Sequence, residues 1–461
     1  MYNLVVKYDK VLKGYEIVEI LSERFAIIRS DVESVEADEN IIDYELPVIL
    51  TPQLAEAKEK SCITLNNSNF SGLTGKGVIM GIIDSGITYD HREFENRVIY
   101  IWDIPNDRVY NEEEIRDGID FTDSIGHGTA VAGIAAGAGG VAPGAEIISV
   151  AIGRGSSDDI MRGVKFIADR ANERSMPFVI NISYGTNFGA HNGQSLFEQY
   201  IDSVAEENAA SIVIASGNEG DKNHHYRGQG SRTVEFNVGR SLESVRLELY
   251  KNYLYNASYE IISPDGSTTG VMSGNDSLYN QILQNTDIVV NIIIPTPYTV
   301  DERVVIELTG IGFVDSGIWQ LKVNTADESV FDIWLPVSEG VTEDTVFLEP
   351  EADTTLTIPS TAFRAITVGA YNSENNTFAA FSGRGYTREN VFVKPDIVAP
   401  GVNIRTASNT GGYGYFTGTS MAAPFVSGVA ALLMEWGIVM KNDENMYGEK
   451  IKALLRKYAL R

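Results

Sequence analysis

From Gly77 onward the chain alternates apolar, strand-like runs with helical segments, and this alternation constrains the fold more than any other feature of the sequence. Continuous apolar strands separated by helices are typical of a parallel sheet that is covered by helices on both faces. The predicted strands of this α/β core are 78–83, 146–151, 178–182, 211–215 and 366–370. The predicted helices are 127–136, 157–172, 195–208, 420–434 and 449–458. Catalytic side chains are then expected at the carboxyl ends of the strands.

Between about residues 221 and 353 the alternation stops, and only strand-like runs follow one another. Turn sequences such as Pro264-Asp265-Gly266 separate them, which indicates antiparallel strands. The runs are 233–238, 244–250, 258–262, 287–294, 304–308, 317–323 and 330–335. We therefore predict a β-sandwich inserted into the α/β core.

A separate small unit is predicted at the amino terminus. Its strand-like runs are 3–8, 15–21, 25–29 and 41–44. A short acidic helix is predicted at 31–39, so the pattern indicates a small α+β unit. A chain of 461 residues is too long for one hydrophobic core. The predicted divisions are 1–57, 58–221, 222–355 and 356–461.

Composition and charge exclude several classes of protein. The net charge of −27 argues against binding to nucleic acid or to anionic membrane surfaces, since both reward Lys and Arg. No stretch approaches the roughly 20 apolar residues of a membrane span. The first residues lack the apolar core of a signal peptide, so we expect a cytoplasmic chain. Cys62 is the only cysteine, which fits a reducing compartment, and we interpret it as a small apolar side chain.

Three glycine-flanked motifs carry the candidate chemistry. Asp84 lies in IIDSG at the end of a predicted strand, and His127 in GHGT and Ser420 in GTSMAAP lie at the starts of predicted helices. A serine hydroxyl becomes a nucleophile only when a neighbouring base takes its proton. Among five histidines only His127 has glycine on both sides and a small-residue helix after it. A carboxylate at the position of Asp84 would be buried and needs a partner such as this ring.

Each motif also has a purely structural interpretation. Asp84 could cap the next segment, His127 could be a satisfied core histidine, and Ser420 could be a helix N-cap. The presence of all three motifs, in the order Asp, His, Ser, favours the catalytic interpretation. The motifs then predict a serine nucleophile, its base and the acid that orients the base.

A glycine-rich loop supplies a further candidate for the site. The backbone N–H of Ser420, at the start of a helix, would face the charge that develops on an attacked carbonyl. Asn218, in the sequence ASGNEG, is a candidate for the second donor, although an asparagine in such a loop is usually a turn residue. Glu219 beside it could favour a basic residue in the substrate.

With these motifs the chain resembles the subtilisin-like serine proteases, or subtilases. The DSG, HGT, SGN and GTSMAAP sequences all occur, and the order Asp, His, Ser is that of the family. The resemblance implies a triad of Asp84, His127 and Ser420, with Asn218 as the oxyanion residue. The residues that it implies for pairing with the substrate backbone are Ser183, Tyr184 and Gly185, and those for a wall of the pocket before the scissile bond are Ser216 and Gly217.

The order of the domains resembles a narrower group, the clostridial Csp germination proteases, which carry an inserted jelly roll and act on the precursor of a spore cortex hydrolase. This resemblance implies a jelly-roll sandwich and a spore-associated or cytoplasmic protein. It also implies that residues 1–57 are a ferredoxin-like propeptide, a chaperone and inhibitor that the enzyme cuts between Pro47 and Ser61. The expected partners are therefore a polypeptide substrate and the chain's own propeptide.

The sequence gives no sign of a metal or another cofactor. Subtilases often hold calcium in a loop inserted into the helix after the catalytic histidine. Here residues 134–140 are short and contain no carboxylate, so we expect no calcium at that position. Acidic residues elsewhere in the chain could still bind calcium.

Two functions from different classes remain open. The first is an active processing endopeptidase. The second is a pseudoprotease or scaffold in which a retained propeptide blocks the triad and the jelly roll binds a partner. The inserted sandwich could itself be a structural stabiliser or a recognition domain.

Overall fold

The computed structural model of the chain describes residues 1–9, 12, 14–35, 40–52, 72–153, 155–274, 277–295, 299–388 and 393–459. Cys62, the predicted boundary at 57/58 and much of the predicted propeptide cleavage segment lie outside these residues.

The amino-terminal unit is a small antiparallel sheet with two apolar faces. Its strands are β1 (Tyr2–Tyr8), β2 (Glu16–Ile20), β3 (Phe25–Ser30) and β4 (Ile41–Glu45), and a short strand β5 (Thr51–Pro52) follows. The order in the sheet is β2-β3-β1-β4. Leu4 and Ile28 belong to a core of the unit's own, whereas Phe25 and Ile27 pack into a core of the α/β domain. The period of two along each strand thus gives the unit an inner face and a docking face.

The helix predicted at 31–39 is not observed in the described part of this unit. Residues 31–34 are bends, residue 35 has no regular structure, and 36–39 lie outside the described residues. The predicted α+β unit is therefore a β-sheet alone, as far as the structure describes it.

The first half of the α/β domain contains every predicted strand and helix, and it adds two strands (Val98–Asp103 and Arg108–Asn111) and a short helix (Glu112–Asp117) that were not predicted. Its strands are β6 (Ile79–Asp84), β7 (Val98–Asp103), β8 (Arg108–Asn111), β9 (Glu146–Ala151), β10 (Phe178–Ile182), β11 (Tyr184–Gly185) and β12 (Ala210–Ala215). Its helices are α1 (Glu112–Asp117), α2 (His127–Ala136), α3 (Ser157–Glu173) and α4 (Leu196–Glu207).

The middle of the chain forms two antiparallel sheets. The strands are β13 (His225–Gln229), β14 (Arg232–Val238), β15 (Ser244–Asn252), β16 (Ala257–Ile262), β17 (Ser277–Leu283), β18 (Thr286–Ile293), β19 (Asp301–Gly310), β20 (Gly317–Thr325), β21 (Val330–Trp334) and β22 (Val346–Phe347). In the described residues one sheet has the order β13-β21-β15-β19-β18-β17 and the other β16-β20-β14-β22. Both sheets bury side chains in one shared core, which makes the unit a β-sandwich. Its assignment as a jelly roll stays a prediction.

The remainder of the chain completes the α/β domain. Its elements are β23 (Ile366–Asn372), β24 (Thr377–Phe378), β25 (Ile397–Pro400), β26 (Ile404–Ala407), β27 (Tyr413–Phe416), α5 (Thr419–Met434) and α6 (Gly448–Tyr458). In the described part of the chain the main sheet has the order β24-β23-β12-β10-β6-β9-β7-β8, and β25 also pairs with β23. The pairs from β7 to β25 are parallel, while β8 and β24 add antiparallel edges.

Helices cover both faces of this sheet, as predicted. Helices α2 and α5 contribute to the core on one face, and α3 and α4 contribute to the core on the other. The predicted α/β fold is therefore confirmed. Because the central strands are buried on both sides, they read in the sequence as continuous apolar runs.

One helical stretch is apolar enough to span a membrane by length and composition. It covers Thr419–Val439, that is, α5 and the π-helical turn Glu435–Val439, with a mean hydropathy of 1.6. The sequence prediction had found no such stretch. Since 72% of the scored window is buried inside the protein, its apolar character is that of a helix in a protein core.

Candidate active site

Asp84 and His127 form a buried pair at the carboxyl end of the central strand β6. Nδ1 of His127 lies 2.6 Å from Oδ1 of Asp84, and neither side chain is exposed. The same carboxylate oxygen accepts the N–H of Ser85 at 2.7 Å. A buried carboxylate can only accept, so Nδ1 carries the proton and Nε2 is the acceptor end of the ring. Within the described residues Nε2 of His127 has no hydrogen-bond partner.

A close approach between helix α2 and strand β6 requires glycine at position 128. A Cβ atom there would lie 2.2 Å from the carbonyl oxygen of Gly86 and 3.0 Å from Cβ of Asp84. Any side chain would therefore push the helix away from the strand. The glycine after the histidine is what brings the ring of His127 to Asp84.

Asp123 is a buried residue of this region that the sequence prediction missed. Its carboxylate accepts hydrogen bonds from the N–H of Gly126 at 2.8 Å, from the hydroxyl of Ser85 at 2.9 Å, and from the N–H and hydroxyl of Thr129 at 3.0 and 2.6 Å. Asp123 thus binds the amino end of helix α2 and fixes it to the residue after Asp84. The available signal was an aspartate shortly before a helix start.

Ser420 lies in the first turn of helix α5 and is buried. Its hydroxyl donates to the carbonyl oxygen of Ser183 at 3.2 Å, not to Nε2 of His127. Hydrogen bonds between catalytic groups are often absent or long before a substrate is bound. The structure therefore places the hydroxyl of Ser420 against Ser183 and shows no hydrogen bond between it and Nε2 of His127.

Asn218 is fixed against the same helix start. Its Oδ1 accepts the N–H of Thr419 at 2.9 Å and the hydroxyl of Thr419 at 3.1 Å. Because a backbone N–H can only donate, this contact identifies the oxygen end of the amide and orients Nδ2 away from Thr419. The structure therefore brings Asn218 and Ser420 together at the amino end of α5.

Residues 48–52, which we call the tail, lie along the predicted substrate-pairing segment. Strand β5 of the tail pairs antiparallel with β11, and Gly185 is opposite Thr51. On its other side the tail meets residues 155–157: the N–H of Leu50 donates to Gly155 at 2.7 Å. The chain's own residues thus occupy the position beside Tyr184 and Gly185 where a substrate strand is predicted.

Ser216 and Gly217 are buried and held by neighbouring backbone. The carbonyl of Ser216 accepts the N–H of Thr357 at 3.1 Å, and that of Gly217 accepts the N–H of Gly383 at 2.8 Å. Gly217 has a φ of 96°, and a Cβ atom there would lie 2.6 Å from the side chain of Thr357. The contribution of these two residues to a substrate pocket stays a prediction.

Glu219 does not have the role that the sequence suggested. Its side chain is buried, with 1% exposed, and accepts hydrogen bonds from Nδ1 of His224 at 2.6 Å and from the hydroxyl of Ser338 at 2.8 Å. The expectation that it selects a basic residue of the substrate is therefore wrong. A fully enclosed and paired carboxylate has no face left for an incoming side chain.

The segment 134–140, where many subtilases hold calcium, contacts the positively charged side chain of Arg97. The guanidinium of Arg97 donates to the carbonyl oxygens of Glu93 and Ala136, and the carboxylate of Glu93 accepts the N–H of Gly139 at 2.7 Å. In the described part of the chain no group of three or more His, Cys, Asp or Glu side chains is arranged to hold a metal ion. The prediction of no calcium at this position continues to rest on the sequence.

Comparisons with known proteins identify the family of the chain and its structural relatives. Residues 75–244 and 314–460, more than half of the chain, match the profile of the subtilase family. The structure is similar to that of the CspB protease of Clostridium perfringens, with 39% identity, a TM-score of 0.81, and coverage of 86% of this chain and 90% of that one. The epidermin leader peptide processing protease of Staphylococcus aureus, at 16% identity and a TM-score of 0.52, covers 98% of this chain and 92% of its own, and shows the shared fold alone.

Among curated proteins, the chain is 26% identical over 404 residues to the minor extracellular protease Vpr of Bacillus subtilis. The match covers 79% of this chain and 46% of that protein. It is 32% identical over 162 residues to subtilisin-like protease 3 of Pseudogymnoascus destructans, which covers 34% of this chain and 36% of that protein. The chain therefore spans less than half the length of these curated relatives.

Proposed function

Because the chain belongs to the subtilase family, we propose that it is a serine endopeptidase in which Asp84, His127 and Ser420 form the catalytic triad. The observation that carries the proposal is the buried pair of Asp84 and His127, which leaves Nε2 as an acceptor. This is the arrangement that a general base requires.

The proposed reaction uses each of these groups in turn. Nε2 of His127 takes the proton of the Ser420 hydroxyl as its oxygen attacks the carbonyl carbon of a peptide bond. The negative oxygen that forms is stabilised by Nδ2 of Asn218 and the N–H of Ser420. His127 then gives the proton to the departing amine, and a water molecule releases the acyl group by the same steps. Asp84 stays ionised and stabilises the charged ring.

We further propose that the amino-terminal unit is a propeptide that the enzyme cuts itself. Strand addition on β11 is how a peptide substrate would lie, and the tail lies there now. The chain runs through Leu50 and Thr51 toward the catalytic groups, so the cut bond follows Pro52 and precedes Ser61. This range narrows the interval predicted from the sequence, and it falls outside the described residues.

The biological role that we propose is activation of a protein precursor in spore germination, as in the Csp group. The support is the 39% identity to the CspB protease over most of both chains. The alternative is a pseudoprotease in which the propeptide never leaves. The occupied cleft is the observation that keeps this alternative open.

Mass spectrometry of the full chain tests the proposal. We expect the wild type to appear as two fragments and Ser420→Ala as one intact chain. Ser203→Ala is the matched control, because among the residues that the structure describes this hydroxyl on α4 bonds only the carbonyl of Tyr200. A fluorophosphonate probe should label Ser420 in the wild type. An intact wild-type chain that the probe does not label would contradict the endopeptidase and favour the pseudoprotease; an intact but labelled chain would contradict self-processing only.

A further inference from the structure

The loop that carries Asn218 is attached to the inserted sandwich through one side chain. We call residues 215–220 the oxyanion loop. Glu219 in this loop accepts the N–H of Ser338 at 3.2 Å and the hydroxyl of Ser338 at 2.8 Å, as well as Nδ1 of His224 at 2.6 Å. Ser338 follows the last long strand of the sandwich, and His224 precedes its first. Both partners therefore belong to the inserted part of the chain.

The carboxylate of Glu219 is fixed in this position by the cost of burying a charge. Burial by itself raises the pKa of Glu219, but the hydrogen bonds from His224 and Ser338 bring it below the ordinary value. The amide of Asn187 adds a contact at 3.4 Å. An ionised carboxylate that is removed from water is stable only while these donors stay in place. The geometry around Glu219 is therefore stiff.

The other attachments of the oxyanion loop lead to the catalytic domain. The N–H of Gly220 donates to Phe381 at 2.8 Å, and the carbonyl of Gly217 accepts from Gly383 at 2.8 Å. These contacts fix the backbone on either side of Asn218. The side chain of Glu219 adds an anchor to the inserted sandwich, one residue from the amide of Asn218.

We propose that Glu219 is a positioning residue through which the inserted sandwich holds the oxyanion loop, and with it the amide of Asn218, in the geometry needed for catalysis. This inference rests on the proposed protease function. It gives the sandwich a part in the reaction although none of its residues needs to touch the substrate.

A double-mutant cycle with Asn218 tests the inference in the full-length protein. The readouts are the rate of propeptide cleavage and the rate at which a fluorophosphonate labels Ser420, together with the melting temperature. Asn218→Ala should slow both reactions by about 10²- to 10³-fold, a magnitude taken from a subtilisin. Glu219→Ala should slow them by about tenfold, since it removes hydrogen bonds to a charged group. In the Asn218→Ala background, Glu219→Ala should have little further effect, because the donor that it positions is gone.

Two further variants separate positioning from general destabilisation. Glu219→Gln keeps an oxygen toward Ser338 and should recover part of the rate that Glu219→Ala loses. Arg246→Ala is the control for destabilisation: it removes hydrogen bonds to Glu248 inside the sandwich and weakens another contact between sandwich and catalytic domain, where the guanidinium lies 5.0 Å from the ring of Phe188. It should leave both rates near the wild-type value.

The outcomes distinguish this inference from the proposed function. If Glu219→Ala slows the reactions equally in both backgrounds, or if Arg246→Ala slows them as much, Glu219 is a structural residue only. If the wild type is neither cleaved nor labelled, the protease function itself fails.

Discussion

The amino-terminal unit and the inserted sandwich pack against the same catalytic core, but they are attached to it by different kinds of contact. The first unit lies on α3 and α4 through an apolar face and half-exposed polar pairs, such as Glu19 with Arg162 at 2.8 Å. The sandwich is attached through enclosed groups. In one of these contacts Trp334 stacks on His191 of the catalytic domain with ring centroids 4.0 Å apart.

This difference matches what each unit is proposed to do. Half-exposed ion pairs contribute little free energy, and water can replace them when a unit leaves. Buried polar groups cannot be separated without leaving charges unpaired in an apolar environment. We therefore expect the first unit to be releasable after cleavage and the sandwich to be permanent.

The largest expected effect is the loss of the buried charge cluster in the sandwich. Glu248 is fully buried and accepts hydrogen bonds from Arg303 at 2.6 Å and Tyr250 at 2.7 Å. Glu248→Ala should lower the free energy of unfolding by about 3–5 kcal/mol, because the buried hydroxyl of Tyr250 and two partly exposed guanidiniums lose the acceptor that they share. Urea denaturation measures this. The control is Glu16→Ala, which removes an exposed pair with Arg29 and should cost about 0–1 kcal/mol. Equal effects of the two substitutions would contradict the expectation that enclosed charges contribute more to the stability of each unit than exposed ones.

A slightly smaller effect is expected in acid. Burial alone raises the pKa of Glu248, but Arg303 and Arg246 outweigh it and hold the pKa at about 2, below the ordinary 4.5. The stability that this group contributes is thus fully present above pH 4.5 and is lost as the pH falls toward 2, a difference of about 3 kcal/mol. Denaturation curves across this range should show the loss in the wild type. If a Glu248→Gln variant loses stability in acid to the same extent, Glu248 is not the group responsible for the loss.

The amino-terminal unit should respond to pH in the opposite sense. Glu45 accepts the N–H of Leu196 at 2.7 Å, and burial raises its pKa to about 7 despite that bond and Arg303. The nearby carboxylates of Glu198 and Asp43 act in the same direction as burial. Its contribution to docking is fully present below pH 4.5 and is lost as the pH rises through 7.

Gel filtration of the processed protein measures this response. More of the cleaved propeptide should dissociate at pH 8 than at pH 5, and Glu45→Gln should reduce the difference. If the fraction of cleaved propeptide that stays bound to the wild type does not change with pH, Glu45 does not control docking.

The smallest effect is expected for Arg162→Ala. This substitution removes the pair with Glu19, whose side chains are 21% and 27% exposed, and should weaken docking by about 0–1 kcal/mol. A competition assay with isolated propeptide measures the change. If the substitution weakens docking by several kcal/mol, the interface of the amino-terminal unit does not differ in kind from that of the sandwich.

The sequence predicted the catalytic core well because its signals are local. Buried strands read as apolar runs, and the glycines around Asp84, His127 and Ser420 mark the turns that these groups need. The edge strand β17 was missed because its side chains are largely exposed and do not alternate. The strand β13 was missed because its sequence, HYRGQ, is polar, and its burial depends on pairing with β21.

The site was predicted less completely than the core. The role of Glu219 depends on Ser338, which is 119 positions away in the chain. No pattern of neighbouring residues reports such a contact. Asp123 was equally invisible as a site residue, because an aspartate near a helix start is common and only the structure shows that it also holds Ser85.

The pairing of β13 with β21 also bears on how the protein is made. Thr419 meets Asn218 across 201 positions of chain, and joining such distant points costs loop-closure entropy. Because the first strand of the insert pairs with one of its last, the folded insert returns the chain to the place where it left the catalytic domain. Once the insert has folded, the loop that must close between Asn218 and Thr419 is effectively much shorter. Ser420, which the ribosome makes after the insert, would then reach an oxyanion loop that is already in position.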